Sequence, residues 1–207
     1  MRRVSNYHEK DMKQEFLIAA QEFAEEYRKR ANRNKTTLFL GDSFFDRRYF
    51  WTDFDETFAG KDAFCAGISS TTTYEWEEFF PKYFTKIPPK NLVVNIGTNN
   101  FYDVFDSAQT AQKNLKRLLL LFRDGVPDAS IFYFAVSQRV DERFRKEVSL
   151  TNAVIKQWCA ENGIVFLDTE NEMTAEKLRD GVHPLLHVYK QVYVPYLMRG
   201  GCVIENL

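Results

Sequence analysis

The stretch Thr37-Leu38-Phe39-Leu40-Gly41-Asp42-Ser43 decides the fold of this chain, because an uncharged apolar run ends abruptly in glycine, an acid and a hydroxyl. The residues from Thr37 to Leu40 are β-branched, aromatic or aliphatic, which is typical of a central strand covered on both faces. Gly41 ends this run. Asp42 and Ser43 are both good N-caps, so a plain strand-to-helix turn explains the tripeptide as well as a reactive serine does.

The size and charge of the chain limit its domain organisation and its partners. Its 207 residues are enough for a substantial core, and we expect residues 1–207 to form a single domain. The net charge is -1 and no basic block is present, which argues against a nucleic-acid partner. No apolar run approaches the ~20 residues of a membrane span, and the polar N-terminus lacks the apolar segment of a signal peptide. We therefore expect a cytoplasmic protein with no membrane partner, while its oligomeric state stays open.

Short apolar strands alternate with helical patterns along the chain. Apolar residues between about 6 and 32 recur every three or four positions, which predicts an amphipathic N-terminal helix. Strands are predicted at about 37–40, 62–65, 91–96, 130–136 and 164–167. Further helices are predicted to begin near 74 and to cover 106–122, 142–161 and 185–198, with a short one near 175. This alternation predicts a three-layer α/β domain around a parallel sheet.

Polar or small residues follow the first three predicted strands. Ser43, Gly67 and Asn99 each come just past the carboxyl end of one strand. Ligands of parallel α/β sheets lie beyond the carboxyl ends of the strands, where the strand order reverses. We therefore expect these three residues to converge on one pocket.

His183 is the candidate base for such a serine. The chain holds three histidines; His8 lies in a polar segment and His187 inside the last predicted helix, whereas His183 follows Asp180 by three residues in a loop. There the Asp180 carboxylate can accept the Nδ1 proton and leave Nε2 facing a hydroxyl, as acyl transfer by serine requires. The alternatives are a helix N-cap for Asp180 and a plain surface position for His183.

A pair of metal ligands is a further alternative, because His183 and His187 are four residues apart. Against it, no glutamate stands between them, Pro184 disturbs the first helical turn and no cysteine is nearby. The three cysteines are widely spaced without a C-x-x-C pair, so they indicate neither a disulfide framework nor a thiolate site. We therefore expect no metal and no organic cofactor.

Four separated segments resemble the signature blocks of the GDSL, or SGNH, hydrolases, a family of esterases and lipases. The segments are Gly41-Asp42-Ser43, Gly67, Gly97-Thr98-Asn99 and Asp180-Gly181-Val182-His183. The resemblance extends from about residue 36 to 194 and implies the SGNH hydrolase fold, a three-layer α/β/α sandwich with a flavodoxin-like five-stranded parallel sheet. It also implies a catalytic triad and an oxyanion hole. The implied roles are Ser43 as nucleophile, His183 as base, Asp180 as the carboxylate that orients the base, and the Ser43 N–H, Gly67 and Asn99 as oxyanion-hole donors.

The sequence departs from the family pattern at several positions. Asn100 replaces the acid that often ends the third block, so that block lacks a loop-stabilising carboxylate; a similar Gly-Thr-Asn-Asn occurs in the branch resembling platelet-activating-factor acetylhydrolase subunits. Ala66 stands before Gly67 where the family usually has asparagine. Phe44 and Phe45 follow the serine where small or branched residues are frequent, and they are expected to narrow or line the pocket.

The substrate is indicated only in outline. Because no long apolar lid segment is present, short acyl groups are favoured, and acetyl esters of carbohydrates or small alcohols are the first expectation, hydrolysed through an acyl-enzyme. Aromatic residues after the strands are candidates for substrate contact, although core packing explains each of them as well. The candidates are Phe44, Trp51 and Phe101 for substrate binding and Arg47, Arg48 and Arg139 for an anionic group, with exposed arginine as the ordinary interpretation.

Three other functions fit the same residues. The triad can pass its acyl group to an alcohol, as an acyltransferase does, or act on lipids as a lysophospholipase or thioesterase does. A site with the right residues in the wrong arrangement would be a catalytically silent sugar-binding module. A flavodoxin-like phosphate site fits less well, because the loop after the first strand lacks the glycines and hydroxyls of a phosphate cradle.

Overall fold

The computed structural model describes residues 14–31, 35–48, 57–58 and 62–204. Within them five strands form an all-parallel sheet in the order β2-β1-β3-β4-β5. The strands are β1 Thr37–Gly41, β2 Ala63–Cys65, β3 Asn91–Asn95, β4 Ser130–Phe134 and β5 Val165–Leu167. This is the flavodoxin-like order, and it confirms the expected parallel α/β sheet. The strand order reverses at β1, which lies between β2 and β3.

Helices connect the strands close to the positions that the sequence predicts. They are α1 Gln14–Arg30, α2 Thr73–Phe79, α3 Thr98–Tyr102, α4 Ala108–Gly125, α5 Arg145–Glu161, α6 Leu186–Val188 and α7 Val194–Arg199. The first part of the predicted N-terminal helix, residues 6–13, lies outside the described residues. The sequence gives no sign of α3, because five residues are too few for a helical period to appear. No helix in the described ranges is long and apolar enough to cross a membrane.

Two helices carry a wide π turn beside a proline. The turn Phe80–Phe84 extends α2 and contains Pro81, and the turn Tyr189–Tyr193 joins α6 to α7 just before Pro195. Proline has no N–H to donate to the carbonyl four residues earlier, so the helix adjusts its hydrogen bonding there. The last predicted helix is therefore divided into three segments.

The two faces of the sheet bury two separate apolar clusters. Along β1, Leu38 and Leu40 join one cluster while Phe39 joins the other, because neighbouring residues of a strand point to opposite faces. The first cluster also holds the apolar faces of α1, α2, α4 and α5. The second holds the C-terminal helical segments. The sheet is thus covered on both faces, as in the predicted sandwich, and its carboxyl edge is left for the site.

Candidate active site

The turn after β1 places Ser43 at the carboxyl edge of the sheet. Gly41 has φ +146°, and a Cβ on it would lie 1.7 Å from the Asn95 carbonyl oxygen on β3, so only glycine fits. Asp42 donates its N–H to that same oxygen (3.1 Å), and its Oδ1 accepts the Phe44 N–H (3.2 Å). Asp42 thus acts as the N-cap of the following helical turn, one of the two candidates that the sequence indicates. Ser43 then begins a single helical turn, Ser43–Phe45, and is 7% exposed.

A continuous chain of hydrogen bonds joins Ser43, His183 and Asp180. The Nε2 of His183 lies 2.9 Å from the Ser43 Oγ, and its Nδ1 lies 2.7 Å from Asp180 Oδ2. Because a carboxylate only accepts, Nδ1 carries the proton and Nε2 is left to accept from the hydroxyl. The structure thus brings these three predicted residues together in the order that proton transfer from a serine needs.

The loop that carries His183 is shaped by Asp180. Asp180 Oδ1 accepts the backbone N–H groups of Val182 (3.0 Å) and His183 (2.8 Å), while Gly181 takes the left-handed φ of +81° that this turn requires. Partial burial raises the pKa of Asp180, but hydrogen bonds from His183 and Val182 outweigh burial and lower the pKa to about 2. The carboxylate is therefore ionised beside the imidazole across the physiological pH range.

Asn99 reaches the same edge from the loop after β3. It lies in the first turn of α3 and is 5% exposed. Its Nδ2 donates to the Thr71 carbonyl oxygen at 2.9 Å, and its Oδ1 accepts from Nη2 of Arg139 at 2.9 Å. One of the two hydrogens on Nδ2 is used by Thr71, so the amide has a second hydrogen that it can donate.

Gly67 packs directly against the turn that carries Ser43. A Cβ at position 67 would lie 2.5 Å from the Phe45 carbonyl carbon and 2.7 Å from the Asp42 oxygen, so the close approach requires glycine. The Gly67 N–H donates to the Phe45 carbonyl oxygen at 3.2 Å. That oxygen also accepts from the Cys65 thiol. The predicted oxyanion-hole role of Gly67 thus concerns an N–H that already has a protein partner.

Asp46 ties the loops after β1 and β2 together. Its carboxylate is fully buried and accepts the Ser69 N–H (2.8 Å) together with the Arg48 side chain at 2.9 and 2.7 Å. A bidentate charged pair of this kind holds a fixed geometry. The position of Ser43 relative to Gly67 is therefore held from both loops.

The carboxylate that the third block lacks is supplied from another position. Asn100 donates to Asp106 Oδ2 at 2.9 Å, and the same carboxylate accepts from the Tyr74 hydroxyl (3.0 Å) and from Asn114 (3.4 Å). Asn100 also exchanges two hydrogen bonds with Thr73, at 2.8 and 3.1 Å. The expectation that this loop lacks a stabilising carboxylate is therefore wrong, because Asp106 performs that task.

Two of the three predicted substrate-binding aromatic residues, Phe44 and Phe101, are described by the structure, and neither is open to a ligand there. Phe101 is 0% exposed and packs in the core, and Phe44 is almost fully buried with its ring centroid 6.2 Å from that of His183. Trp51 lies outside the described residues. A role of Phe44 or Phe101 in substrate binding stays a prediction, and core packing accounts for both.

The arginines and the second histidine also have definite positions. Arg47 pairs with Glu26 at 3.1 Å, Arg48 with Asp46, and Arg139 with Asn99, so none of the three is a simple exposed arginine. His187 is exposed, whereas both ring nitrogens of His183 are engaged. Among the described residues no group of three or more histidine, cysteine or acidic side chains could hold a metal ion.

One residue of the site, Tyr189, was not identified from the sequence, and another, Arg139, was given a different role. Tyr189 donates its hydroxyl to the Phe44 carbonyl at 2.7 Å and so holds the turn of Ser43 from the second apolar cluster. Arg139 was named only as a possible anion contact. It follows the carboxyl end of β4. Because ligands of parallel α/β sheets lie beyond the carboxyl ends of the strands, the argument that identified Ser43 and Asn99 applies to Arg139 as well.

A polar cavity of about 340 Å³ lies beside the loop that carries His183. The cavity and that loop are joined by Val140, whose N–H donates to the Gly181 carbonyl at 2.9 Å. The cavity is lined mainly by hydrogen-bonding side chains, among them Gln138, Arg139, Arg145, Ser149, Glu170 and Thr174. It offers many hydrogen-bond donors and acceptors next to an apolar part formed by Val140, Met173 and Ala175.

The fold and this edge of the sheet together define a class of protein. A parallel sheet with a serine, a histidine and an acid hydrogen-bonded beyond its strand ends is typical of serine hydrolases with an α/β fold. The chain belongs to the GDSL-like Lipase/Acylhydrolase family, whose sequence profile matches residues 39–190. It is therefore a serine hydrolase of the type that acts on ester bonds.

Solved structures of other hydrolases share the fold. A GDSL-like lipase from Bacteroides thetaiotaomicron is 18% identical, with a TM-score of 0.71 over 87% of this chain and 97% of that one. An acetylxylan esterase from Geobacillus stearothermophilus is 17% identical, with a TM-score of 0.64 over 83% and 95%. An α/β hydrolase from the metagenome of Lake Arreo, Spain, is 14% identical, with a TM-score of 0.63 over 82% and 96%. No match was found among curated proteins.

Proposed function

We propose that this protein is a serine esterase that hydrolyses short-chain acyl esters, in particular acetyl esters of carbohydrates or small alcohols. The observation that carries this proposal is the chain of hydrogen bonds from Ser43 through His183 to Asp180, at 2.9 and 2.7 Å. These are hydrogen-bond distances within the reach that a nucleophile and its base require. Ser43 is the nucleophile, His183 the general base and Asp180 the orienting carboxylate.

The first half-reaction makes an acyl-enzyme. Ser43 Oγ attacks the ester carbonyl carbon while His183 Nε2 takes the hydroxyl proton, giving a tetrahedral intermediate and an imidazolium. The Asp180 carboxylate stabilises that imidazolium through Nδ1–H. When the intermediate collapses, the carbon–oxygen bond to the alcohol breaks, and the alcohol leaves with the proton from Nε2.

The second half-reaction regenerates the serine. A water molecule gives a proton to His183 Nε2 as its oxygen attacks the acyl carbon, and the second intermediate expels Ser43, which recovers that proton. Neither step requires a metal or an organic cofactor. Replacing the water by an alcohol would give transfer of the acyl group instead of hydrolysis.

Three donors are proposed to stabilise the oxygen that becomes negative. Asn99 offers the second hydrogen of Nδ2, and Ser43 offers its own backbone N–H. The Gly67 N–H is proposed to divide its donation between the substrate oxygen and the Phe45 carbonyl, since its present bond is long at 3.2 Å. Loss of one donor of this kind typically lowers the rate by ~10²–10³-fold.

The preference for short acyl groups and polar alcohols rests on the surroundings of the site. The cavity beside the loop of His183 contains no triad residue, but it is lined by Arg139, the partner of Asn99, and by other polar side chains, which suit a hydroxyl-rich alcohol better than an alkyl chain. Phe44, whose ring centroid lies 6.2 Å from that of His183, is almost fully buried in the core, so among the described residues its ring offers no open apolar surface to an acyl chain. The structural similarity to an acetylxylan esterase is consistent with this substrate class.

Hydrolysis of p-nitrophenyl esters from acetate to laurate, with Ser43→Ala measured in parallel, tests the proposal. We expect the highest kcat/KM on acetate or butyrate, a steep decline toward laurate and no measurable turnover in Ser43→Ala. A maximum at long chains would indicate a lipid acyl hydrolase. If the unmodified protein turned over neither these esters nor acetylated oligosaccharides, while still binding the latter, the sugar-binding interpretation would replace this one.

A further inference from the structure

We propose that Arg139 is a positioning residue for the reaction, which keeps the Asn99 amide turned so that its Nδ2 faces the substrate carbonyl oxygen. This inference rests on the proposed function, because it concerns how one oxyanion-hole donor is held. Arg139 follows β4 at the carboxyl edge of the sheet, on the loop between β4 and α5. Its side chain is only 18% exposed, and Nη2 donates to Asn99 Oδ1 at 2.9 Å.

The chemistry of the two partners decides which way the amide points. Arg139 can only donate and the Thr71 carbonyl can only accept, so Asn99 must turn Oδ1 to the arginine and Nδ2 to Thr71. With either partner alone the amide could still rotate about its side-chain bond. With both in place the direction of the second Nδ2 hydrogen is determined.

The guanidinium is itself held in place by an aromatic ring. Its central carbon lies 4.2 Å from the ring centroid of Tyr102, whose hydroxyl donates to the Asp141 carbonyl at 2.7 Å. Stacking on an aromatic face restricts the guanidinium to a plane. Less side-chain conformational entropy is therefore lost when it forms its hydrogen bond to Asn99. The Asp103 Oδ1 lies 3.9 Å from Arg139 Nη2, at the limit of ion pairing, and this exposed carboxylate contributes little to holding the guanidinium.

The burial of Arg139 has a cost for the stability of the fold, and its charge has an effect on Asn99. Its Nε is buried and has no hydrogen-bond partner among the described residues. A buried donor that the protein leaves unpaired is unfavourable for the folded state, and the stacking on Tyr102 and the bond to Asn99 offset this cost. The positive charge behind Asn99 also polarises the amide, which strengthens its N–H groups as donors toward a developing oxyanion.

A double-mutant cycle between Arg139 and Asn99 tests the inference. On p-nitrophenyl acetate we expect Arg139→Ala to lower kcat by on the order of 10- to 100-fold with KM changed by less than about threefold, because the loss is confined to the transition state. In the Asn99→Ala background the same change should cost less than about threefold, because the residue through which it acts is gone. Losses that multiply in the double variant, or an unchanged Arg139→Ala, would overturn the inference.

Two further variants separate positioning from general damage to the fold. Arg139→Lys keeps a charged donor and should recover part of kcat. Arg143→Ala removes an exposed arginine of the same loop, 6.0 Å from the Tyr102 ring and without a bond to Asn99, and should behave as the unmodified protein. Equal losses in Arg143→Ala and Arg139→Ala would assign the effect to the loop and not to the hydrogen bond.

A readout that does not need turnover keeps this inference separate from the proposed function. The side-chain amide signals of Asn99 in a ¹H–¹⁵N spectrum can be assigned by their loss in Asn99→Ala. We expect these signals to shift or broaden in Arg139→Ala and to stay in place in Arg143→Ala. Unchanged signals would contradict the positioning role, whereas absence of ester hydrolysis in the unmodified protein would contradict only the proposed function.

Discussion

His183 Nε2 and Ser43 Oγ lie 2.9 Å apart although 140 positions separate the two residues in the chain. The loop of His183 is held by two backbone hydrogen bonds, one within the loop and one from the loop after β4. Arg179 donates its N–H to the His183 carbonyl at 2.8 Å, and Val140 donates to Gly181 at 2.9 Å. The imidazole is thus positioned by the fold before any substrate binds, which reduces the reorganisation needed for reaction.

The two histidines near the C-terminus should differ sharply in their effect on activity. His183→Ala removes the base and should lower kcat by at least about 10³-fold on a short ester. His187→Ala, four residues further on and exposed, should leave kcat within about twofold. Steady-state kinetics of both variants measures this, and a comparable loss in the two would contradict the assignment of His183 as base.

Gly67→Ala should destabilise the protein more than a glycine substitution that has space. The new Cβ would lie 2.5 Å from the Phe45 carbonyl carbon, so the turn of Ser43 must move, and we expect a loss of more than about 2 kcal/mol in the free energy of unfolding together with lower kcat. In Gly163→Ala the new Cβ would have no atom within 4 Å. We expect the free energy of unfolding to fall by only about 1 kcal/mol, because alanine is strained at the left-handed φ of +70°. Urea unfolding compares the two, and equal losses would show that the close packing of Gly67 is unimportant.

Asp42 should make stability depend on pH. Burial raises the pKa of its carboxyl from 3.8 to about 7, and its Oδ2 has no hydrogen-bond partner among the described residues. Because the folded protein binds this proton more tightly than the unfolded chain does, the proton adds to the free energy of unfolding. This contribution is fully present below pH 3.8 and is lost as the pH rises through about 7. Asp42→Asn keeps the oxygen that accepts the Phe44 N–H but does not titrate.

The pH dependence can be measured by urea unfolding at intervals between about pH 4 and pH 8. We expect the free energy of unfolding of Asp42→Asn to decline less over this range than that of the unmodified protein, by at most on the order of 4 kcal/mol. Parallel curves for the two proteins would mean that this carboxyl does not change its protonation there.

Restoring the acid that is common in the third block should be harmful in this chain. In Asn100→Asp an oxygen would replace the Nδ2 that lies 2.9 Å from Asp106 Oδ2, and two buried carboxylates would repel each other. We expect a loss of about 3 kcal/mol in the free energy of unfolding near pH 8 and a smaller loss near pH 5, where the pair shares a proton.

Exchange of the two residues provides the control for this prediction. The double variant with Asn100→Asp and Asp106→Asn restores one amide and one carboxylate, and should recover much of the lost stability. A double variant no more stable than Asn100→Asp would show that the position of the charge matters more than its pairing with an amide.

Much of the fold could be predicted because its signals are local. The five apolar runs lie where the strands form, and Gly41 marks the end of β1 because backbone approach to Asn95 leaves no room for a side chain. The exceptions are equally physical. The five-residue α3 is too short to show a period, and the last helix is divided because Pro195 lacks an N–H.

The sequence by itself determined the strand-and-helix order, the serine at the end of β1 and the Asp180 to His183 spacing, since each depends on neighbours a few residues away. Only the tertiary structure decided which distant side chains meet. The 2.9 Å contact of His183 with Ser43, the support of Asn99 by Arg139 and the use of Asp106 in place of an acid at position 100 all join separate loops. The period of the apolar residues predicts which face of a helix or strand is buried. The contacts between loops depend instead on how the helices and strands pack together, and this packing is determined by the whole chain.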